Sequence, residues 1–134
     1  MDIADKANIH AIRIPQIKGF NFSAGKMGLK ILSLFARHKA MKKGFVFPDH
    51  FAGIVAGTSI NEKWLCEIID NLQEGVTEIM AHPGIDNKIL QPYFSLAHNF
   101  EQELNALISN AAMSKVIKNG ISLINFRDLT QYFY

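Results

Sequence analysis

GVTEIMAHPG, residues 75–84, contains the clearest transition from strand to loop in the sequence. Residues 76–81 combine β-branched and apolar side chains, a composition typical of a short strand. His82 follows at the carboxyl end of that strand, and Pro83 favours an extended conformation for the residue before it. Ligands of α/β proteins bind beyond the carboxyl ends of the strands, so His82 is the first candidate for a functional residue.

Strands and helices alternate on both sides of this stretch. Short apolar segments predict further strands at 9–14, 45–47 and 121–126, and helical periodicity predicts helices at about 26–41, 59–72, 97–118 and 127–133. Alternation of this kind is typical of parallel βαβ units. The sequence therefore predicts one α/β domain over residues 1–134 with about four parallel strands. Such a domain is either half of a (β/α) barrel or a small open sheet.

Several helix boundaries carry recognisable signals. Ser59 and Glu62 have the spacing of a capping box, so a helix is predicted to begin there. The apolar stripe at 97–118 is predicted to be interrupted near Ser109. In the helix at 26–41, three- and four-residue spacing predicts a buried face formed by Leu29, Leu32, Phe35 and Ala36.

The composition is that of a soluble globular protein of 134 residues, with 49% hydrophobic and 19% charged residues. The net charge of +2 comes from short lysine clusters, so nucleic acid is not an expected partner. Cys66 is the single cysteine, which excludes an internal disulfide and fits a reducing compartment. No segment approaches the ~18 consecutive apolar residues of a membrane span, and the expected location is the cytoplasm.

A phosphate-binding loop is a weak interpretation of GFNFSAGKMG, residues 19–28. Five residues separate Gly19 from Gly25 where the motif has four. Met27 also stands where a serine or threonine hydroxyl would hold Mg²⁺. The sequence therefore favours an ordinary glycine-containing loop before the helix over a nucleotide site.

Histidines and carboxylates near the strand ends are the remaining candidates. The five histidines show neither the His-x-His nor the His-x-x-x-His spacing of a metal site. His82 is interpreted either as a general acid or base or as a hydrogen-bonded structural residue. Glu78 is either an inward carboxylate of the site or a paired charge, and Asp49 and His50 either orient one another or form an Asx-type turn. His98 is interpreted as a surface or capping residue in preference to a metal ligand.

Four stretches form an ordered set: IRIP at 12–15, FPDHFAG at 47–53, GVTEIMAHPG at 75–84 and GISLINFRDL at 120–129. This set resembles the YdjC-like carbohydrate deacetylases, a group that includes chitooligosaccharide deacetylases and hopanoid-biosynthesis deacetylases. The third stretch is similar to the strand and His-Pro-Gly motif of that family. Because the order and the distances are also compatible, the resemblance covers roughly residues 8–129.

The resemblance implies a metal-dependent hydrolase on a TIM-like (β/α) barrel that removes an acetyl group from an N-acetylated sugar or oligosaccharide. In that chemistry a divalent ion, Mg²⁺ or Zn²⁺, polarises the amide carbonyl, a carboxylate takes a proton from water and a histidine protonates the leaving amine. By position, the resemblance assigns His82 as that general acid or as an oxyanion partner. It gives Arg13 a role in orienting side chains, and it places Asp49 and His50 in the pocket.

Two parts of the family pattern are missing from this sequence. An Asp-Asp pair and a His-x-His-x-His stretch, which hold the metal in the family, do not occur here. The chain is therefore expected to correspond to the C-terminal half of such a barrel, to bind no metal alone and to be inactive without an N-terminal half. An open strand edge makes a complementary half or a second copy the expected partner. The alternative is a non-catalytic sugar-binding or subunit-interaction remnant.

Overall fold

Helices and short strands are interspersed along the chain. The computed structural model describes residues 1–15, 24–53, 59–94 and 97–132. In chain order the elements are α1 (Asp2–Lys6), α2 (Ala24–Lys42), β1 (His50–Ala52), α3 (Glu62–Asp70), β2 (Thr77–Ile79), α4 (Asn87–Leu90), a 3₁₀ turn (Gln91–Tyr93), α5 (Phe100–Leu107), α6 (Asn110–Lys118) and α7 (Phe126–Tyr132). Most of the predicted glycine-containing loop falls in residues 16–23, outside the described residues.

β1 and β2 are neighbours in a parallel sheet. The backbone N–H of His50 donates to the carbonyl of Val76 at 3.0 Å, and the N–H of Met80 donates to the carbonyl of Ala52 at 2.9 Å. β2 lies inside the strand predicted at 76–81, which confirms that prediction. Helices combined with parallel strands are what an α/β class requires.

The first two predicted strands meet in one parallel bridge between Ala11 and Val46. The carbonyl of Val46 accepts a hydrogen bond from the N–H of Ile12, and the N–H of Val46 donates to the carbonyl of His10, each at 2.9 Å. The two segments therefore pair in the expected parallel sense. They form one isolated bridge and are not long enough in their pairing to be strands.

The strand predicted at 121–126 is wrong. Residues 121–125 form no strand in the described part of the chain, and α7 begins at Phe126. The Asn125 side chain explains the difference, because its Oδ1 accepts a hydrogen bond from the N–H of Arg127 at 2.8 Å. Asparagine in this role starts a helical turn and competes with extended pairing. The predicted terminal helix is confirmed.

Contacts group the chain into two compact units, each with its own buried apolar cluster. The first unit comprises Met1–Phe51, Gly75–Glu78 and Leu123–Tyr134. Its cluster consists of Ile14, Ala40, Phe45 and Phe47. The second unit comprises Ala52–Glu74 and Ile79–Ser122, and its cluster consists of Ile60, Leu65, Cys66, Ile69, Ala106 and Ala112. The single domain over residues 1–134 stays a prediction.

α2 matches the predicted helix in extent but not in the face that it buries. Ala40 is fully buried and Ala36 packs against the cluster of the first unit. Leu32 and Phe35, predicted to be buried, are 65% and 71% exposed. Apolar spacing locates a stripe on a helix, but it does not say which neighbours cover the stripe. None of the described helices, α2 included, is apolar over a length that could cross a membrane.

The helix α3 begins with a different cap from the predicted one. Asn61 is its N-cap, and Oδ1 of Asn61 accepts a hydrogen bond from the N–H of Trp64 at 2.8 Å. The predicted capping box of Ser59 and Glu62 is therefore wrong. Ser59 serves another segment, because its hydroxyl oxygen accepts from the N–H of Asn99 at 2.7 Å. Asparagine and serine are about equally good N-caps, so the local sequence left both positions open.

α5 and α6 confirm the predicted interruption of the helical stripe. Ser109 separates them as the N-cap of α6, and its hydroxyl oxygen accepts a hydrogen bond from the N–H of Ala112 at 3.2 Å. Both helices pack against α3 in the second unit. The ammonium of Lys115 on α6 also pairs with the carboxylate of Asp70 on α3, and this hydrogen bond lowers the pKa of Asp70.

Gly53 follows β1 at a point where a side chain has no room. A Cβ atom there would lie 2.3 Å from the carbonyl oxygen of Met80, and the φ angle is +96°. Gly44 has a similar φ of +72°, but a Cβ atom at residue 44 would meet nothing within 4 Å. We expect Gly44→Ala to cost about 1–2 kcal/mol for the left-handed backbone alone. Gly53→Ala should cost about 1–3 kcal/mol more, since it adds overpacking.

Urea unfolding of the two glycine variants measures that difference in the free energy of unfolding. Gly44→Ala is the matched control, because it keeps the backbone strain and omits the contact with Met80. Equal losses of stability in both variants would show that the close approach between residue 53 and the end of β2 does not constrain the fold.

Candidate functional site

Arg13 and Glu78 form an ion pair within the first unit. Nε of Arg13 donates to Oε1 of Glu78, whose side chain is 9% exposed, while half of the Arg13 side chain remains exposed. The guanidinium also lies 6.0 Å from the ring centroid of Phe51 on β1. Glu78 is therefore a paired charge, and its place in a site stays a prediction. In the described part of the chain, its second oxygen is buried without a hydrogen bond.

Asp49 forms a hydrogen bond with the segment that precedes β2. Its Oδ2 accepts a hydrogen bond from the backbone N–H of Val76 at 2.9 Å, while the N–H of the next residue, His50, donates to the carbonyl of Val76 at 3.0 Å. The two residues thus bind Val76 through both its N–H and its carbonyl. The Asp49 carboxylate therefore positions the start of β2.

His82 is tied by its backbone to a buried carboxylate in the second unit. Glu103 on α5 is 2% exposed, and its Oε2 accepts from the N–H of His82. Its Oε1 accepts from the N–H of Ile60 at 2.9 Å. A carboxylate with two backbone donors is a satisfied buried charge, which is the condition under which burial is tolerated. Glu103 thereby fixes the main chain of His82, whose side chain remains exposed.

His98 lies beside the same carboxylate. Its Nε2 is 3.3 Å from Oε1 of Glu103, and the His98 side chain is only 11% exposed. In the described part of the chain this nitrogen is buried and makes no hydrogen bond. The N-cap of α5 is Asn99, so His98 is neither the cap nor the surface residue that its position at a helix start predicted.

The exposed imidazole of His82 belongs to a group of four packed rings. The centroids of His82 and His98 are 5.3 Å apart at an interplanar angle of 84°, and Phe94 lies 5.8 Å from His82 at 66°. Phe100 completes the group at 4.7 Å from His98. Edge-to-face contacts of this kind restrict ring rotation while leaving one side of His82 open to solvent.

Gly84, the last residue of the His-Pro-Gly stretch, lies against Phe100 of this ring group. Its N–H donates to the carbonyl of Phe100 at 3.1 Å. A Cβ atom at residue 84 would lie 2.3 Å from Cδ1 of Leu90 and 3.0 Å from Cβ of Phe100. Glycine at residue 84 therefore lets the loop after β2 lie close to α5 without displacing the side chains of Leu90 and Phe100.

The donor atoms of His82, His98 and Glu103 all lie within 4.8 Å of one another. Two imidazole nitrogens and one carboxylate oxygen are the donor types of zinc sites, whereas Mg²⁺ prefers an all-oxygen set. Sequence spacing missed this group, because its members come from the loop after β2, the segment before α5 and α5 itself. Glu103 was detectable as a carboxylate three residues after Phe100, on the apolar side of the predicted helix.

Comparison with known families agrees with the resemblance found in the sequence. A family model described as YdjC-like protein matches residues 1–118. Neither a curated protein nor a solved structure matches the chain significantly. The matched range contains Arg13, Asp49 and His50 as well as the groups around Glu78 and His82. The stretch at 120–129, the last of the four that carried the resemblance, lies beyond it.

Proposed function

The chain belongs to the YdjC-like family, and on that basis we propose that it serves the removal of an acetyl group from N-acetylated sugars. Its fold is then the C-terminal part of a TIM-like (β/α) barrel. The observation that carries the proposal is the placement of His82. Its main chain is anchored on the buried Glu103, its ring is packed by Phe94 and His98, and its outer side is open to a substrate.

His82 acts in this proposal as the proton donor to the leaving amine. Hydrolysis of an N-acetyl group adds the oxygen of water to the carbonyl carbon and breaks the C–N bond. The nitrogen must gain a proton as that bond breaks, because an amide anion is a very poor leaving group. A histidine with an oriented, solvent-open ring supplies such a proton near neutral pH. The products are acetate and the free amino sugar.

A divalent ion of the kind the family uses would, when bound, supply polarisation of the acetyl carbonyl and activation of the attacking water. Its expected ligands, an Asp-Asp pair and a His-x-His-x-His stretch, do not occur in this sequence. His82, His98 and Glu103 cannot replace those ligands. His82 cannot bind an ion and donate a proton at the same time. The proposal therefore includes a complementary chain that carries the ligand motifs, while this chain supplies the proton.

Supporting roles go to the residues of the first unit. Arg13 is proposed to orient side chains near the substrate through its pairing with Glu78. Asp49 holds the start of β2, the strand that continues toward His82. His50, the neighbour of Asp49 in the chain, is proposed to line the substrate pocket.

A polar cavity in the second unit supports sugar binding. It measures about 350 Å³ and is lined by Glu62, Asn87, Asn99, Glu101, Gln102 and Asn105. Amide and carboxylate side chains donate to and accept from hydroxyl groups, which is the surface that a sugar presents.

Acetate release tests the proposal. The chain is mixed with a YdjC-like chain segment that carries the ligand motifs, a chitooligosaccharide, and Mg²⁺ or Zn²⁺ in separate reactions. We expect acetate and free amine in equal amounts from the Mg²⁺ mixture and from neither chain alone. Absence of acetate from every mixture, with both chains folded by circular dichroism, would contradict the enzymatic role.

A non-catalytic sugar-binding module is the second candidate, and the polar cavity favours it. Under this alternative, calorimetry detects binding of the oligosaccharide without any metal, and Asn105→Ala together with Gln102→Ala weakens it. Binding without acetate release in any mixture would select the module over the enzyme.

A further inference from the structure

We propose that His82, His98 and Glu103 form a binding site for one zinc-type transition-metal ion. The site is distinct from the catalytic ion of the proposed function, whose ligands are expected in other motifs. It rests on the geometry of the second unit alone and does not depend on any activity toward sugars.

The spacing of two of the three donors already matches a shared metal. Nε2 of His98 lies 3.3 Å from Oε1 of Glu103 without a hydrogen bond between them. Two ligands of a tetrahedral zinc ion, each about 2.0–2.1 Å from the metal, are themselves about 3.3–3.4 Å apart. A buried imidazole nitrogen and a carboxylate oxygen at this separation are placed to hold an ion between them.

The carboxylate is supported in the way that metal ligands are. Both oxygens of Glu103 accept a backbone N–H, from Ile60 and from His82, which leaves further lone pairs on each oxygen. Ligating carboxylates are commonly hydrogen-bonded by groups outside the ligand set, and those bonds fix their orientation. The burial of Glu103 therefore restricts it to one position and does not remove it as a ligand.

His82 is the movable member of the set. It is the exposed residue of the three, and the donor atoms of the group lie within 4.8 Å of one another. Binding of an ion is expected to draw the exposed His82 ring out of its edge-to-face contacts with Phe94 and His98 and toward the other two donors. The same exposure leaves a fourth position open to water and provides the path by which an ion enters.

The donor types select the class of metal. Imidazole nitrogen suits Zn²⁺, Co²⁺, Ni²⁺ and Cu²⁺, whereas Mg²⁺ binds oxygen ligands and keeps several of its waters. The ion and proton donation by His82 exclude each other, because a metal takes the lone pair that would carry the proton. Zinc at this site would thus bind the His82 ring and prevent it from donating a proton.

Titration with Co²⁺ and Zn²⁺ in the absence of sugar tests the site. One Co²⁺ per chain should give the intense visible absorption of a four-coordinate complex, and Zn²⁺ should displace it while excess Mg²⁺ does not. Loss of a supporting partner alone weakens metal sites by about 10–100-fold, so His98→Gln is expected to weaken binding by at least about 100-fold. His38→Gln, an exposed histidine on α2, is the matched control and should bind as the unchanged chain does.

His82→Gln decides the matter if His98→Gln fails to fold by circular dichroism, because His82 is exposed and its replacement removes ring contacts only at the surface. If a folded His82→Gln or His98→Gln variant bound zinc as strongly as the unchanged chain does, that result would overturn the proposal. So would a Co²⁺ spectrum of six-coordinate type, or an unchanged chain that takes up no Zn²⁺ at all.

Discussion

His82→Ala is expected to slow acetate release by about 10²–10⁴-fold in the reconstituted mixture, which is the contribution of a positioned general acid. The substitution removes the proton that the leaving nitrogen needs. It leaves the backbone N–H that Glu103 accepts. The rate of acetate release at saturating oligosaccharide measures the effect, since the loss should appear in kcat.

The control for this experiment is His38→Ala, which removes an exposed histidine of α2. Its rate should stay within about twofold of the unchanged chain, as expected for a surface position outside the site. Unchanged turnover in His82→Ala would remove His82 from the mechanism while leaving the deacetylase activity itself intact. A total absence of turnover in the unchanged mixture would instead contradict the proposed function.

Glu103→Ala is expected to lower the free energy of unfolding by about 4 kcal/mol. The variant deletes the acceptor of two backbone donors, the N–H groups of Ile60 and His82, in a place that is 2% exposed. Each buried donor left without a partner costs about 1–3 kcal/mol. Urea unfolding followed by circular dichroism gives the value directly.

Two further variants isolate the cause. Glu103→Gln keeps one acceptor oxygen and should lose about half as much stability, since one of the two donors remains paired. Glu101→Ala removes an exposed carboxylate from the same helix, where the bonds to Asn87 lie at the surface, and should cost less than about 1 kcal/mol. Equal losses in Glu101→Ala and Glu103→Ala would show that the buried hydrogen bonds are not the source of the effect.

Local patterns in the sequence were sufficient for several elements. The interruption at Ser109 and the helices on either side of it follow from apolar periodicity and one capping residue. β2 follows from a run of strand-forming residues between Gly75 and Pro83. The family follows from ordered stretches of the same kind, and the family model agrees with them.

Other features depend on partners far away in the chain. Asn61 and not Ser59 caps α3, because Ser59 is engaged by the N–H of Asn99, which lies 40 positions further on. Likewise, the large side chains of α2 are exposed because the cluster of the first unit is covered by the alanine side of that helix.

The sequence alone established the identity of His82 as a candidate, its place after a strand and the family that carries it, since each of these is written in neighbouring residues. The surroundings of His82 came from the folded chain. Glu103 is 21 positions away from it and His98 is 16, and neither has a spacing to His82 that signals contact. The close approach of the His-Pro-Gly loop to α5 brings them together, because hydrogen bonds and ring contacts act through space and leave no local pattern in the chain.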